Sequence, residues 1–254
     1  MGDASGGGIR ADIVEEGERL LELASGDGVP LRLLGGVAIR LRAPGELPPA
    51  LQRSYADLDF VTAKKGSGAQ ELFRRAGYEP DVSFNALNGR ERLLFYDTAH
   101  ERQVDVFVGK FSMSHTIPVA GRLEVDPVSI PLAELLLTKL QIAELNEKDV
   151  RDGVAIVYCH DLGEEDGDTI SARRIAELCA GDWGLWRTIT ANLATCADLV
   201  DDYDLPEADK SRVRAAANEI RRRIDVEPKS RAWKLRAKIG ERKRWYEVPE
   251  EVQR

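Results

Sequence analysis

A chain of 254 residues with 43% hydrophobic and 31% charged content holds enough apolar matter for a packed core and excludes wholesale disorder. No run approaches the roughly 20 apolar residues of a membrane span. Three well-separated cysteines (Cys159, Cys179 and Cys196) exclude a disulfide scaffold or a zinc ribbon and point to the reducing conditions of a cytoplasm. The net charge of −8 is unevenly spread: eleven basic residues against three acidic ones make Arg221 to Trp245 +8, leaving −16 for the remainder. That asymmetry hints at an anionic partner near the C-terminus, beside the plainer alternative of a solvated helix face.

Met1 to Arg10 is glycine-rich, without the basic-then-apolar order of a secretory signal. Ile9 to Ala24 sets Ile13, Leu20, Leu21 and Leu23 near helical spacing, with Gly26 to Gly28 as its stop. Leu31 to Leu34 reads as a short strand running into Gly35-Gly36, and Val37 to Leu41 as the first turns of a helix. The prolines and glycine of Ala43 to Pro49 demand a loop. Leu58, Phe60 and Val61 mark a buried strand, and Gly66 to Ala76 a helix with Leu72 and Phe73 inward. Strand patterns recur at Asp81 to Leu87, Glu91 to Tyr96 and Gln103 to Val108, the last two joined as a hairpin through Thr98 to Glu101, and Arg122 to Val128 is a further strand candidate. From Pro131 the pattern is helical: Leu132 to Leu145, Glu147 to Cys159, Ser171 to Ala180, Trp183 to Val200, Glu207 to Ile224 and Pro228 to Trp245. The expectation is an α+β domain over residues 1–130 and an all-helical domain over 131–254 that ends in a basic helix.

Three features in the first half carry chemistry. Leu33-Leu34-Gly35-Gly36 is a strand ending in paired glycines before a helix, where backbone can approach a ligand and unpaired N–H groups can meet phosphate. A tight structural turn would look the same. In Asp57-Leu58-Asp59-Phe60-Val61, residues two apart share a face, so both carboxylates lie together while Leu58 and Phe60 face the core. Two like charges so close repel unless a cation compensates, and hard oxygen donors suit Mg²⁺ or Mn²⁺. The third feature is Asp105, alone in the β-branched and aromatic run Val104 to Val108.

Paired glycines, then Asp-x-Asp, then a lone strand aspartate resemble the nucleotidyltransferase fold of the DNA polymerase beta superfamily. More narrowly, Leu34-Gly35-Gly36-Val37-Ala38, with Arg53 four residues ahead of Asp57-Leu58-Asp59-Phe60, is similar to the abortive-infection AbiE-type toxin nucleotidyltransferases. So are Lys139-Leu140-x-x-Ala143 and Lys148-Asp149-Val150-Arg151-Asp152. The likeness spans roughly Leu31 to Val157. It departs from the family in the twenty residues from Val37 to Ala56, in Tyr55 where a small hydroxyl residue is usual, and in Gly36 where many relatives carry serine.

The resemblance implies a mixed sheet flanked by helices, with a helical domain completing a cleft, and transfer of a nucleoside monophosphate from an NTP to an acceptor hydroxyl. It assigns Mg²⁺ or Mn²⁺ to Asp57, Asp59 and Asp105, with Asp105 serving a second metal or taking the acceptor's proton. It assigns the NTP to Gly35, Gly36, Arg53 and Lys139, and a catalytic part to Asp152. An RNA acceptor and a cognate antitoxin are the partners it suggests, and no membrane. The rival readings are a small-molecule transferase of the aminoglycoside type and a non-catalytic nucleic-acid or partner-binding module. His100, His115 and His160 lack metal-ligand spacing, and Trp183 and Trp186, three apart, suit a core.

Overall fold

Leu31–Leu34 (β1) passes without a linker into the helix Gly35–Arg42 (α2), and the sheet that begins with β1 organises the first half of the chain. The computed structural model describes residues 8–63 and 66–248. The chain is mixed α+β and divides into two units. The first comprises Met1–Arg42, Arg53–Phe111 and Pro118–Ile130; the second comprises Ala43–Gln52, Ser112–Ile117 and Pro131–Arg254.

The first unit holds a five-stranded mixed sheet. Beside β1 its strands are Asp57–Thr62 (β2), Glu79–Pro80 (β3), Arg92–Asp97 (β4) and Arg102–Val108 (β5), in the order β1-β2-β5-β4-β3. β2 and β5 run parallel and every other pair is antiparallel. Leu58, Phe60, Val104, Val106, Leu93 and Phe95 alternate onto one face and are all buried. Ile13–Gly26 (α1) and Ser67–Arg75 (α3) cover that face. Phe73 of α3 stacks on Phe95 at 4.8 Å and meets Phe60 edge-on at 5.7 Å, bridging β2 and β4 across β5. Burying one such ring is worth about 1.5–3 kcal/mol.

A polar knot ties α1 to this core. Glu16 is wholly buried; its carboxylate accepts from Arg19 Nε at 2.7 Å, from the Tyr78 hydroxyl at 2.7 Å and from the Arg10 amide at 2.9 Å. Burial alone would push the Glu16 carboxyl up, but these donors outweigh it and hold the group below its ordinary value. Burial and the same contact push the Tyr78 hydroxyl upward.

Two expected strands take another form. Asp81 to Leu87 is not a strand: Asp81 caps the helix Val82–Asn88 (α4) by accepting from the Phe84 amide at 2.9 Å. Asn85 of α4 then gives its side-chain amide to the edge of β4, donating to the Leu94 carbonyl at 3.0 Å and accepting from the Leu94 amide at 2.7 Å. Together with the Asp81 amide, which also donates to the Leu94 carbonyl at 3.0 Å, this one side chain closes the edge of β4 where β3 stops. In Arg122 to Val128, Asp126 accepts from the amides of Val128 and Ser129 and pairs with Arg42 at 2.7 Å, folding the stretch into turns. The sheet contact comes later, where Ser129 bridges Leu33.

In the second unit, Leu132–Leu140 (α5) is buried along nearly its whole length. Glu147–Cys159 (α6), Ala172–Gly181 (α7) and Trp183–Leu199 (α8) pack against it, and Glu207–Val226 (α9) lies on α6, α7 and α8. α5 ends earlier than its apolar run suggests because Asn192 of α8 donates to the carbonyls of Leu140 and Ile142 at 2.7 and 2.8 Å. The 43–52 segment joins this unit through Arg151, which donates to the Gln52 carbonyl at 3.0 Å, and the 112–117 segment through the His115 amide on Gln141.

The expected long helix from Pro228 to Trp245 is shorter. Ser230 caps Arg231–Ile239 (α10), and Gly240, at φ +60°, ends it in a conformation that favours glycine. Arg236 donates to the carbonyls of Gly240 and Lys243 and lies over the Trp183 ring, fastening the turn. Trp183, Trp186, Trp233 and Trp245 form one aromatic cluster with centroids 5.2–6.1 Å apart. No helix of the described residues is long and apolar enough to cross a membrane.

Candidate active site

The opposite face of the five-stranded sheet carries the acids. In the β2–β5 ladder Asp59 stands directly across from Asp105, and Asp57 across from Gln103. Partners in register point to the same side, and Asp57 is two residues from Asp59, so all three carboxylates share one face. Neighbouring strands lie about 4.8 Å apart, which brings the Asp59 and Asp105 side chains within reach of one small ion. Asp57 and Asp59 are half-buried and Asp105 is buried.

The glycine bend meets this face. Leu34 pairs with Asp59, so the chain turns into α2 beside that carboxylate. Gly35 sits at φ +74°, and a β-carbon there would run into the Asp59 carboxyl group. A β-carbon on Gly36 would meet the Arg53 guanidinium and, at 2.8 Å, the Tyr55 ring. Arg53 itself lies 4.8 Å over the Tyr55 ring and donates to the Ser54 carbonyl at 3.1 Å. Tyr55, the departure from the family pattern, is therefore the platform on which Arg53 rests against the start of α2.

Two further side chains belong here that the sequence did not single out. Arg92 of β4 donates through Nε to Asp105 Oδ1 at 2.7 Å, and Gln103 donates through Nε2 to Asp105 Oδ2 at 2.8 Å. The Arg92 guanidinium lies between the rings of Phe107, at 5.2 Å, and Phe84, at 5.9 Å. A basic residue opposite Phe107 in the β4–β5 hairpin was the available signal. The Phe84 contact was hidden by taking α4 for a strand.

Gly35, Gly36, Arg53, Asp57, Asp59 and Asp105 are thus brought together on the first unit. The donor set fits a hard divalent cation: oxygen ligands alone, on adjacent strands, beside a backbone that only glycine leaves open. Among the described residues, no three His, Cys, Asp or Glu side chains are already drawn together around a metal position.

Lys139 and Asp152 fall on the second unit, where they are joined to each other. Lys139 Nζ lies 2.8 Å from Asp152 Oδ2 and 3.8 Å from Asp149 Oδ1, with the Lys139 and Asp152 side chains only 14% and 6% exposed. At that depth, breaking the pair by removing one partner is costly. The two buried thiols offer no nucleophile: burial pushes Cys179 up strongly and Cys196 up to about 12.

α10 displays a separate charged surface. Arg231, Lys234, Leu235 and Lys238 share its outer face at helical spacing, followed by Arg242, Lys243 and Arg244, all exposed. Among the described residues none of these six cations has an acidic partner, whereas Glu241 is held by Arg187 at 2.6 Å. Arg222 and Arg223 of α9, by contrast, are tied to Glu219.

Comparison with protein-family models returns no match, and comparison with curated proteins returns none. Among solved structures the chain is similar to that titled "Crystal structure of JHP933 from Helicobacter pylori", over 88% of this chain and 97% of that one, at 11% identity and a TM-score of 0.37. A likeness at that level assigns neither fold family nor activity.

Proposed function

We propose that this chain has the nucleotidyltransferase fold and is a metal-dependent nucleotidyltransferase, moving a nucleoside monophosphate from an NTP to an acceptor hydroxyl with release of pyrophosphate. The observation that carries the reading is the register of Asp59 with Asp105 on the face where the Gly35–Gly36 bend meets Asp59. Carboxylates two apart and across a parallel ladder have no packing use on a strand that buries Leu58 and Phe60 on its other face.

Asp57, Asp59 and Asp105 would hold Mg²⁺ or Mn²⁺, and the bound cation supplies charge neutralisation at the triphosphate oxygens. The backbone N–H groups at the start of α2 are suited to donate to phosphate oxygens, and Arg53 adds a guanidinium beside them. The protein's task in phosphoryl chemistry is mostly to position and neutralise, which this set can do without a covalent nucleophile. The unpaired cations of α10 favour RNA over a small cationic acceptor, since their spacing suits a phosphate backbone.

The test is incubation with each labelled NTP, Mg²⁺ and total RNA, aminoglycosides or protein in separate reactions. Label should enter RNA and fall by about a hundredfold or more in Asp57→Asn and Asp59→Asn, the scale of several kcal/mol of lost charge stabilisation. Transfer undiminished in both variants would overturn the assignment of the site. Label confined to small molecules would overturn the choice of acceptor.

A further inference from the structure

Asp105 has a cation of its own. Arg92 Nε donates to Oδ1 at 2.7 Å and Gln103 Nε2 to Oδ2 at 2.8 Å, so both oxygens of a carboxylate only 5% exposed are already engaged. Arg92 is not a loose surface side chain that happens to lie near. It projects from β4 on the face shared by Asp105 and Phe107, where Arg92 stands directly across from Phe107, and its guanidinium is held between the Phe107 and Phe84 rings. Its side chain is 22% exposed, and its two Nη atoms, unlike Nε, have no protein acceptor among the described residues. The geometry therefore fixes one donor on Asp105 and leaves the remaining charge beside it.

We propose that Arg92 is the built-in counter-ion of the carboxylate site, a positioning residue that sets how tightly a divalent cation binds in the absence of nucleotide. This rests on the reading of Asp57, Asp59 and Asp105 as metal ligands. A guanidinium on Asp105 compensates part of the negative charge that would draw a cation in, and a dication arriving at that carboxylate meets a like charge fixed between two rings. Metal alone binds weakly under these conditions. A triphosphate, which brings negative charge of its own, restores the attraction, so metal and NTP enter together. Gln103, neutral and on the same strand, keeps the Asp105 carboxylate oriented whichever cation faces it.

The experiment is titration of the full-length protein with MnCl₂, without nucleotide, reading free Mn²⁺ by electron paramagnetic resonance, for wild type, Arg92→Gln and Arg92→Lys. Arg92→Gln removes the charge and keeps an amide for Asp105. It should tighten Mn²⁺ about tenfold, which corresponds to about 1.4 kcal/mol, the scale of one hydrogen bond to a charged group. Arg92→Lys keeps the charge and should stay within about twofold of wild type. A merely structural arginine would give unchanged or weaker Mn²⁺ binding in Arg92→Gln, and that result overturns the inference. Should Arg92→Gln fail to fold, Phe84→Ala takes its place: it removes one of the two rings from a half-exposed position, so about twofold tightening supports the inference and none overturns it. Wild type and Arg92→Gln that both bind no Mn²⁺ at millimolar concentration overturn the metal-site reading and this inference with it. Wild type that binds, beside an Arg92→Gln variant no tighter, overturns this inference alone.

Discussion

Gly35→Ala is the sharpest perturbation of the candidate site, because two independent costs fall on one methyl group. The first is conformational: Gly35 sits at φ +74°, where an L-residue with a β-carbon pays about 1–2 kcal/mol. The second is steric and local, since that β-carbon would occupy the position of the Asp59 carboxyl group. Asp59 must rotate away, and with it goes the register partner of Asp105. For a chain of this length 1 kcal/mol moves Tm by about 2–4 °C, so the conformational cost alone lowers Tm by roughly 2–8 °C. Gly36→Ala separates the two effects. Gly36 has no positive φ, and its methyl group would meet the guanidinium of Arg53 and the edge of Tyr55. Its Tm should hold while affinity for NTP drops. Differential scanning calorimetry and Mn²⁺ titration on both variants, with titration of NTP in the presence of Mn²⁺ for Gly36→Ala, are the assays. Gly35→Ala with wild-type Mn²⁺ affinity would refute the claim that the bend and Asp59 form one site.

Glu16→Gln tests the buried knot of the first unit. Because Glu16 is held below its ordinary value in the folded protein, its contribution is present above about pH 4.5 and is lost as pH falls from there through the lowered value. The variant removes the charge that faces the buried Arg19, at a cost of about 3–5 kcal/mol, and should flatten the acid limb of a Tm-against-pH curve below about pH 4.5; curves that merely run parallel would contradict the assignment. On α10, Lys234→Glu with Lys238→Glu should weaken RNA binding and lower the slope of log K against log salt by about 0.7 for each phosphate no longer neutralised. Arg222→Gln, whose arginine already pairs with Glu219, should leave both unchanged, and equal losses in the two variants would show that the surface has no specific role.

Much of the fold could be read from local pattern because the local pattern was the cause. β1, β2, β4 and β5 are short runs whose alternate residues had to be buried, and the hairpin turn between β4 and β5 carries its own polar punctuation. The helices of the second unit follow apolar spacing. Three misread stretches are those where a single polar side chain replaces a backbone partner, while the half expected to be all-helical also holds a short parallel strand pair, Leu162–Gly163 with Ile170–Ser171. Asn85 completes the edge of β4 and lets Val82–Asn88 coil as a helix, Asp126 gathers two amides into a turn, and Arg236 with Gly240 halts α10. Nothing in the spacing of Asp81 to Leu87 announces that Asn85 will act as a strand, because the carbonyl it serves lies nine residues further on.

The site divides along the same line. Asp57 and Asp59 share a face by the arithmetic of any strand, so their pairing was legible within five residues of sequence. The alignment with Asp105 was not, since it depends on β5 lying parallel to β2 in one particular register. A slip of a single residue would have turned Asp105 to the apolar face of Leu58 and Phe60 and brought Val104 and Val106 round beside Asp57 and Asp59. Arg92 lies one step further from sequence: it reaches Asp105 only because β4 folds back antiparallel on β5, and it stays there only because α4 delivers Phe84 to its other side. Charge compensation at a carboxylate cluster is thus a property of three strands and a helix together. A residue that sets the cation affinity of a site can therefore be invisible in the motif that names the site.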